Sequence, residues 1–397
     1  MALTDFRPEF DNAYQEVFQK ALVSKEIMNT RFEKKLKFGE SVERVAFNID
    51  GVQVRDVTRG SASTIDTVTD STELLTVNIE QEAAFHISDG EVTQAGPLNP
   101  GEVIGGKIAH KVAQKLDYKC FSEVPNAANN FDDGDLTTLS STGTAITLSS
   151  TTVPQMVTRM SAKLRYAAQQ EEQSNMAFVV DSYAAADIEQ YLLGKDIDIA
   201  GSVFKNGYAG IVRNAQLYVS ENLQGEVTLA VDVSTADEVI TILGVTFTAK
   251  AAPSLPGEFD VAGSTDAQGA IMENMINGAA TGQDSATGYY EVSAANRQIL
   301  QNAQVVASYS TTTDVLTITA AGRIIYSDTH SGTVTNKLHC YFGKKGAIDL
   351  VIQDLAPVDM RPTSDRRGTN VFSSYLAGIK TFADGAKKFL DVWILVA

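Results

Sequence analysis

The chain has 397 residues, of which 44% are hydrophobic and 20% are charged. These proportions are typical of a globular protein with a large core, and they exclude a fibrous or disordered chain. The net charge of -17 at pH 7 argues against a surface that coats nucleic acid along its whole extent, although it permits a local basic face.

Neither the cysteines nor the hydropathy of the chain indicates an exported or membrane-bound protein. Cys120 and Cys340 lie far apart without a CxxC pattern, so we expect two reduced thiols, no disulfide and no zinc site. The N-terminal residues MALTDFRPEFDNAY lack the basic start and the apolar run of a signal peptide. No stretch reaches the roughly 18 apolar residues that a membrane helix needs. We therefore predict a protein that starts in the cytosol and has no membrane partner.

An extended arm, residues 40–94, is the most informative feature of the sequence. It follows a stretch with helical spacing over 12–29, and it contains two runs with strand-like alternation, within 42–60 and 71–87, around the polar tip 59–63. Two strands alone are marginally stable in water. Because the arm has no core of its own, we predict that it docks on another molecule, most economically a second copy of the chain.

The clearest helix, predicted over 102–123, carries an apolar stripe beside a cationic one. The apolar side chains recur every four residues: Ile104, Ile108, Val112 and Leu116. The lysines recur at the same spacing, about one hundred degrees round the helix: Lys107, Lys111, Lys115 and Lys119. Like charges at this spacing repel each other, so we expect a compensating anion, with an ordinary solvated face as the alternative.

The remaining sequence predicts further helices and strands in three groups. Residues 126–153 are low in complexity and form a surface connection with a short strand-like run at 145–148. The α/β group has a helix from Thr152, a strand at 176–180, a helix at 182–193 and a strand at 215–220. Strand pairs and two short helices over 225–322 indicate an inserted α+β domain. The last strands are predicted at 347–354, 371–382 and 389–396, and the final one is apolar enough to be central and buried.

No catalytic or metal-binding pattern stands out. The sequence has no GxxxxGK[ST], GxSxG or HExxH motif, and no GxGxxG follows a strand and opens a helix. The histidines have no metal-ligand spacing: His86, His110, His330 and His339. The run 132–135 (DDGD) lacks the alternating ligands and the closing Glu of a calcium loop. We therefore predict no catalytic residue, no metal site, no cofactor and no enzymatic activity.

Several short runs occur in an order typical of one family of shell proteins. They are 206–212 (NGYAGIV), 216–223 (QLYVSENL), 343–348 (GKKGAI) and a closing hairpin from Leu376 to Ile394. Their order and spacing resemble the major capsid proteins of tailed double-stranded-DNA bacteriophages, whose fold is shared with encapsulin shells and the herpesvirus capsid floor. The resemblance covers almost the whole chain except the predicted insertion.

The resemblance implies an α+β capsid fold with five regions. These are an N-terminal arm 1–39, an extended β-hairpin loop 40–94, a peripheral domain 95–151 and 355–397 with the spine helix 102–123, an axial domain 152–224 and 323–354, and the inserted domain 225–322. It implies a structural virion protein that self-assembles as hexamers and pentamers into an icosahedral capsid enclosing phage DNA.

The resemblance also implies partners and contact residues. The partners are further copies of the chain, a scaffolding protein, a portal, decoration proteins and non-specifically contacted DNA, with assembly in the host cytoplasm and a final location in the virion. Inter-subunit contacts are expected at Arg44, Arg55 and Arg59. The DNA-facing residues are expected to be Lys107, Lys111, Lys115 and Lys119. Some relatives cross-link a loop lysine to a neighbouring subunit, but residues 51–71 contain no lysine, so we expect no such cross-link at the arm tip.

Two departures from the family pattern and three alternatives remain. The chain begins almost directly with the arm, which favours a separate scaffolding protein or none, and the insertion is not part of the common fold. The first alternative is an encapsulin-like protein compartment. The second is a surface or adhesion protein, which the Thr-rich strands suit but the missing export signal opposes. The third is an enzyme with dispersed catalytic residues.

Overall fold

The computed structural model of the chain describes residues 22–32, 41–48, 52–56, 59, 65–88, 100–168, 174–193, 208–212, 215–261, 263–278, 288–355, 359–362 and 367–396. The helices are α1 (Ser24–Ile27), α2 (Pro100–Phe121), α3 (Thr152–Ala168), α4 (Ser182–Leu193), α5 (Thr265–Asn277), α6 (Ala294–Asn302) and α7 (Ala383–Ala386). The strands are β1 (Ser41–Asn48), β2 (Thr69–Thr76), β3 (Ile79–Ile87), β4 (Asn129–Phe131), β5 (Met176–Val180), β6 (Tyr208–Val212), β7 (Ala215–Val219), β8 (Gln224–Ala230), β9 (Val239–Ile242), β10 (Val245–Lys250), β11 (Glu258–Asp260), β12 (Val306–Ser310), β13 (Val315–Ala321), β14 (Tyr326–Asp328), β15 (Val334–Lys344), β16 (Asp349–Leu355), β17 (Asp359–Pro362), β18 (Thr369–Lys380) and β19 (Phe389–Leu395). This mixture confirms the predicted α+β class.

The chain divides into two compact units. The first comprises Met1–Ala128 and Lys344–Phe389, and the second comprises Asn129–Gly343 and Leu390–Ala397. These bounds differ from those of the five regions that the resemblance implies, and the division into those regions stays a prediction.

The first unit has a sheet centred on β18. This strand pairs antiparallel with β3, β16 and β17. Val371, Tyr375 and Ala377 are buried on one face of this strand, because residues an even number of positions apart point to the same side. Helix α2 contacts β3 and buries Val112 and Leu116 of the predicted apolar stripe, whereas Ile104 and Ile108 are half-buried.

The second unit is built on a sheet of nine strands. Its main order is β12-β13-β8-β15-β5-β7-β6, and β19 pairs with both β15 and β4. Strand β5 runs parallel to β7 and is buried at every residue, which is typical of a strand covered on both faces. The last strand, β19, is buried over most of its length, so the prediction of a buried C-terminal strand is confirmed.

The predicted insertion, 225–322, has a core of its own but shares its sheet. The buried members of this core lie between Val227 and Ile324. Strands β8, β12 and β13 belong to the nine-stranded sheet, while β9, β10, β11 and β14 form a separate sheet. A Cβ on Gly225 would lie 2.2 Å from the carbonyl oxygen of Gly322, so the two ends of the segment meet through a contact that only glycine permits at position 225.

Most predicted elements are present, with boundary shifts of a few residues. The predictions for α3, α4, β5 and the β9–β10 hairpin are confirmed, and the helix predicted over 102–123 is Pro100–Phe121. The run at 145–148 forms only an isolated bridge, between Ile146 and Ile394. Of the helix predicted over 12–29, the part before residue 22 lies outside the described residues, and the remainder is helical only over Ser24–Ile27.

Two predicted strand arrangements are wrong. The second run of the arm is not one strand, because it breaks after Thr76 into β2, which pairs with β1, and β3, which pairs with β18. The closing hairpin is not formed either, because β18 and β19 join different sheets. Alternation of side chains indicates that a residue is in a strand, whereas the partner of that strand depends on contacts remote in sequence.

Candidate functional site

The arm begins as a two-stranded antiparallel ribbon. Strands β1 and β2 pair from Ser41 opposite Thr76 to Asn48 opposite Thr69, so the predicted pairing of the two runs is confirmed for these residues, whereas 60–63 of the predicted tip lie outside the described residues. Paired residues on antiparallel strands point to the same side of the ribbon. The ribbon therefore has two faces, which we call the inner face, with Val42 and Leu75, and the outer face, with Val45 and Thr72.

The inner face packs on the chain's own first unit. Leu75 is fully buried in a cluster with Phe32, Val351 and Phe382, against which Val42 also packs. This burial anchors the base of the arm, since removing apolar surface from water is the main favourable term in packing.

Arg44 adds a polar anchor to the inner face. Its Nη2 lies 2.5 Å from Oδ2 of Asp384, and its guanidinium carbon lies 5.1 Å from the centre of the Phe382 ring. Burial alone would raise the pKa of Asp384, but Arg44 and Lys388 outweigh it and lower that pKa. The backbone N–H of Ala383 donates to both carboxylate oxygens of Glu73, at 3.1 and 3.2 Å. Arg44 thus binds within its own chain, and its role between subunits stays a prediction.

The outer face carries exposed apolar side chains among acidic ones. Val45 is 47% exposed and Leu74 is 51% exposed, although both are residues that usually pack in a core. Glu43 and Asp70 are exposed on the same face. Such a mixture of apolar and acidic groups is suited to contact with a partner surface that offers apolar and basic groups.

Beyond the paired strands, the arm continues as two stretches, 52–56 and 65–68, that are cross-linked by an ion pair. Arg55 donates to Asp66 through both terminal nitrogens, with Nη1–Oδ2 at 2.9 Å and Nη2–Oδ1 at 2.7 Å. The backbone N–H of Gln53 donates to Oδ2 of Asp66 at 2.9 Å, and Nη2 of Arg55 lies 3.3 Å from Oε1 of Gln53. The guanidinium of Arg55 and the N–H of Gln53 together lower the pKa of Asp66. We call this group of three residues the arm clasp.

The arm clasp lies beside the most exposed apolar side chains of the arm. Val54 is 104% exposed and Ile65 is 91% exposed, and each is adjacent in sequence to a clasp residue. Arg59, the third arginine expected at an inter-subunit contact, is exposed. Arg55 already binds within its own arm. Contact of Arg55 or Arg59 with another subunit stays a prediction.

The predicted lysine stripe lies along α2. Lys107, Lys111 and Lys115 are exposed, while Lys119 is half-buried with its Nζ 5.9 Å from the centre of the Tyr118 ring. The helix therefore presents three exposed cationic groups at one-turn spacing. Contact of these lysines with DNA stays a prediction.

An ionic cluster, in which His339 and Asp391 are buried and Glu226 and Lys337 are half-buried, ties together three strands of the second unit. Nδ1 of His339 lies 2.7 Å from Oδ2 of Asp391, and Nε2 lies 3.3 Å from Oε2 of Glu226. Lys337 lies 3.0 Å from the other oxygen of Glu226 and 3.8 Å from the centre of the Trp393 ring. Burial by itself would lower the pKa of His339, but the two carboxylates outweigh it and raise the pKa to about 9. This cluster joins β8, β15 and β19, and its charges are balanced inside the sheet.

The part of the chain described here contains no group of His, Cys, Asp and Glu side chains arranged to hold a metal ion. In the same residues, no helix is both long and apolar enough to cross a membrane.

The arm and the lysine stripe are evident from the sequence, whereas the residues of the same chain that the arm contacts are not. The sequence gives no signal that Arg44 reaches Asp384, since the two are separated by 340 positions. The pairing of Arg55 with Asp66 is more local, with a separation of 11 positions, and opposite charges on the two sides of the predicted tip are a usable signal for it.

No protein-family profile and no curated protein sequence matches this chain. Solved structures match over most of both chains. The capsid of Ralstonia phage GP4 is 9% identical, with 96% of this chain and 91% of that chain covered and a TM-score of 0.48. The capsid of Staphylococcus phage Andhra is 10% identical, with 94% and 83% covered and a TM-score of 0.44. The capsid of Cyanophage P-SCSP1u is 9% identical, with 94% and 86% covered and a TM-score of 0.42.

Proposed function

We propose that this chain is the major capsid protein of a tailed phage, a self-assembling subunit that forms hexamers and pentamers around the phage genome. The observation that carries the proposal is the arm. Its inner face is anchored by Leu75 and Arg44, whereas its outer face leaves Val45 and Leu74 exposed. A ribbon anchored on one face and apolar on the other is suited to bind a neighbouring molecule.

A second copy of the chain is the partner that this proposal requires. Closed symmetric assemblies repeat one contact many times, so each contact can be moderate and the shell still stable. Stable interfaces bury about 1,200–2,000 Å² in total, which one extended arm can supply only in combination with other contacts. Exposed ion pairs contribute about 0–1 kcal/mol each, so we assign specificity to the arginines and most of the affinity to apolar contacts.

The lysine stripe is the proposed contact with packaged DNA. Phosphate groups attract lysines without regard to base sequence, which is what a shell around a whole genome needs. Replacing Lys107, Lys111, Lys115 and Lys119 by Gln is expected to reduce DNA packaging or the stability of filled particles, whereas replacing the exposed Lys25 and Lys380 is not. Unchanged packaging and unchanged particle stability in the fourfold variant would contradict this assignment.

The other proposed partners follow from the capsid role. They are a scaffolding protein during assembly, a portal at one vertex and decoration proteins on the outside. In this proposal the chain assembles in the host cytoplasm and ends in the virion.

Size-exclusion chromatography and negative-stain microscopy of the expressed chain, with a candidate scaffolding protein where needed, test the proposal. Closed shells or capsomers support it, and a persistent monomer under all conditions contradicts it. Shells that hold protein instead of DNA favour an encapsulin-like compartment. The variant Val45→Asp/Leu74→Asp is expected to stop assembly, whereas Leu255→Asp, at a residue 61% exposed in the second unit, is the matched control and is expected to assemble.

A further inference from the structure

We propose that the arm clasp, formed by Gln53, Arg55 and Asp66, holds the distal arm in its binding shape before a second subunit arrives. This inference rests on the proposed function, because it concerns the same arm and the same partner, a second copy of the chain. Arg55 and Asp66 are therefore positioning residues, whereas the direct contacts come from the apolar side chains beside them.

The geometry of the arm clasp is that of a cross-link. The two hydrogen bonds from Arg55 fix the orientation of the Asp66 carboxylate, because two N–H groups of the guanidinium bind the two carboxylate oxygens in parallel. The N–H of Gln53 adds a third bond to that carboxylate, so the clasp fixes backbone as well as side chains. It joins the stretch 52–56 to the stretch 65–68, which lie outside the β1–β2 pairing.

The exposed apolar residues explain why such a cross-link is needed. Val54 and Ile65 are almost completely exposed, so packing of these two side chains does not hold the stretches in place. A segment that is ordered only on binding loses conformational freedom at that moment, which weakens binding. A clasp that orders the segment beforehand removes part of that loss, and a shell repeats the benefit at every subunit.

The charge state of the clasp agrees with this role. Opposite charges within the clasp neutralise each other, so the ion pair presents little net charge beside the exposed Val54 and Ile65. Exposed ion pairs are screened by salt, so the ordering effect is expected to weaken as ionic strength rises.

The first test uses unassembled subunits and hydrogen exchange. In the wild type, the N–H of Gln53 is expected to exchange more slowly than in Arg55→Ala or Asp66→Asn, with the difference shrinking in 1 M salt. Asp56→Asn, which changes the net charge as Asp66→Asn does, is the matched control and is expected to leave the exchange of Gln53 unchanged. Equal exchange in the wild type and both clasp variants would overturn the proposal, whether or not the chain assembles.

The second test measures assembly. Each single variant is expected to raise the subunit concentration needed for assembly by about two- to fivefold. The double variant Arg55→Ala/Asp66→Asn is expected to raise this concentration no further than the worse single variant does, because both substitutions break the same ion pair. Additive losses, or single variants that assemble as the wild type does, would contradict the clasp. Failure of the wild type itself to assemble would count against the proposed function. The hydrogen-exchange result would then decide whether the clasp forms.

Discussion

Gly378 of β18 lies directly against Thr76, the last residue of β2. A Cβ on Gly378 would stand 2.7 Å from the carbonyl oxygen of Thr76 and 3.1 Å from Cα of Val77. Both atoms belong to the backbone at the point where the arm strand β2 ends and the chain turns into β3. The absence of a side chain at position 378 therefore allows the base of the arm to lie on the sheet of the first unit.

Replacing Gly378 by Ala is expected to displace the base of the arm. Because the clashing atoms are backbone, the strain cannot be relieved by a rotamer change, and we expect a loss of about 1–3 kcal/mol in the free energy of unfolding. Faster hydrogen exchange in β1 and β2 would check the location of the effect. Gly263→Ala is the control, since a Cβ there meets nothing within 4 Å, and it is expected to be neutral.

The second prediction concerns the alkaline limit of the second unit. The folded pKa of His339, about 9, lies above its ordinary value of 6.5, so the charged imidazolium stabilises the fold below pH 6.5 and this contribution is lost as the pH rises through 9. The size of the effect is on the order of 3 kcal/mol. Urea unfolding followed by the fluorescence of Trp393, the only tryptophan, is the measurement.

The variant His339→Gln provides the comparison for this prediction. It leaves Asp391 and Glu226 without a cation between them, so we expect it to be less stable than the wild type at pH 7 and nearly equal to it at pH 10. A difference that stays constant from pH 7 to pH 10 would show that His339 does not titrate as its surroundings require.

The third prediction concerns Asp117, a buried carboxylate that holds α1. It accepts from the N–H of Val23 at 3.0 Å, from the N–H of Ser24 at 3.1 Å and from the Ser24 hydroxyl at 2.5 Å. Burial raises the pKa of Asp117 from 3.8 to about 6, although these hydrogen bonds act in the opposite direction. The native state therefore binds the proton more tightly than the unfolded state between these values, and stability falls as the pH rises from about 4 to about 7.

Replacing Asp117 by Asn is expected to remove that slope. The advantage of the wild type over the variant should be largest near pH 4 and should shrink by on the order of 3 kcal/mol by pH 7. Hydrogen exchange at Val23 and Ser24 reports this locally. Glu26→Gln, an exposed carboxyl in the same segment, is the control and should keep the wild-type slope. An unchanged slope in Asp117→Asn would contradict the prediction.

The fourth prediction concerns a buried ion pair of the second unit. Nζ of Lys163 lies 2.5 Å from Oδ1 of Asp135 and 3.2 Å from Oγ of Ser141, and the side chains of the ion pair are 8% and 0% exposed. Lys163→Met keeps the apolar stem but leaves the carboxylate without its cation, so we expect a loss of about 3–5 kcal/mol. Urea unfolding checks it. Arg165→Met, at an exposed position of the same helix, is expected to change stability by less than about 0.5 kcal/mol.

Local patterns in the sequence determined most of the elements and their types. The periodicity of four in α2 predicted both its buried stripe and its row of lysines, because neighbours on a helix face are three or four residues apart. Alternation predicted β8 and β13, because successive side chains of a strand point to opposite faces, whereas continuous apolar runs are typical of the buried strands β5 and β19.

Only the tertiary structure decided which strands pair and which charges meet. The break after Thr76 that separates β2 from β3, and the placement of β18 and β19 in different sheets, depend on hydrogen bonds between segments far apart in sequence. Arg44 likewise binds Asp384, a carboxylate of its own chain that lies 340 positions away in sequence. A strand exposes the same backbone groups to every possible partner strand. Packing of side chains remote in sequence selects the partner, and no local pattern of residues predicts that choice.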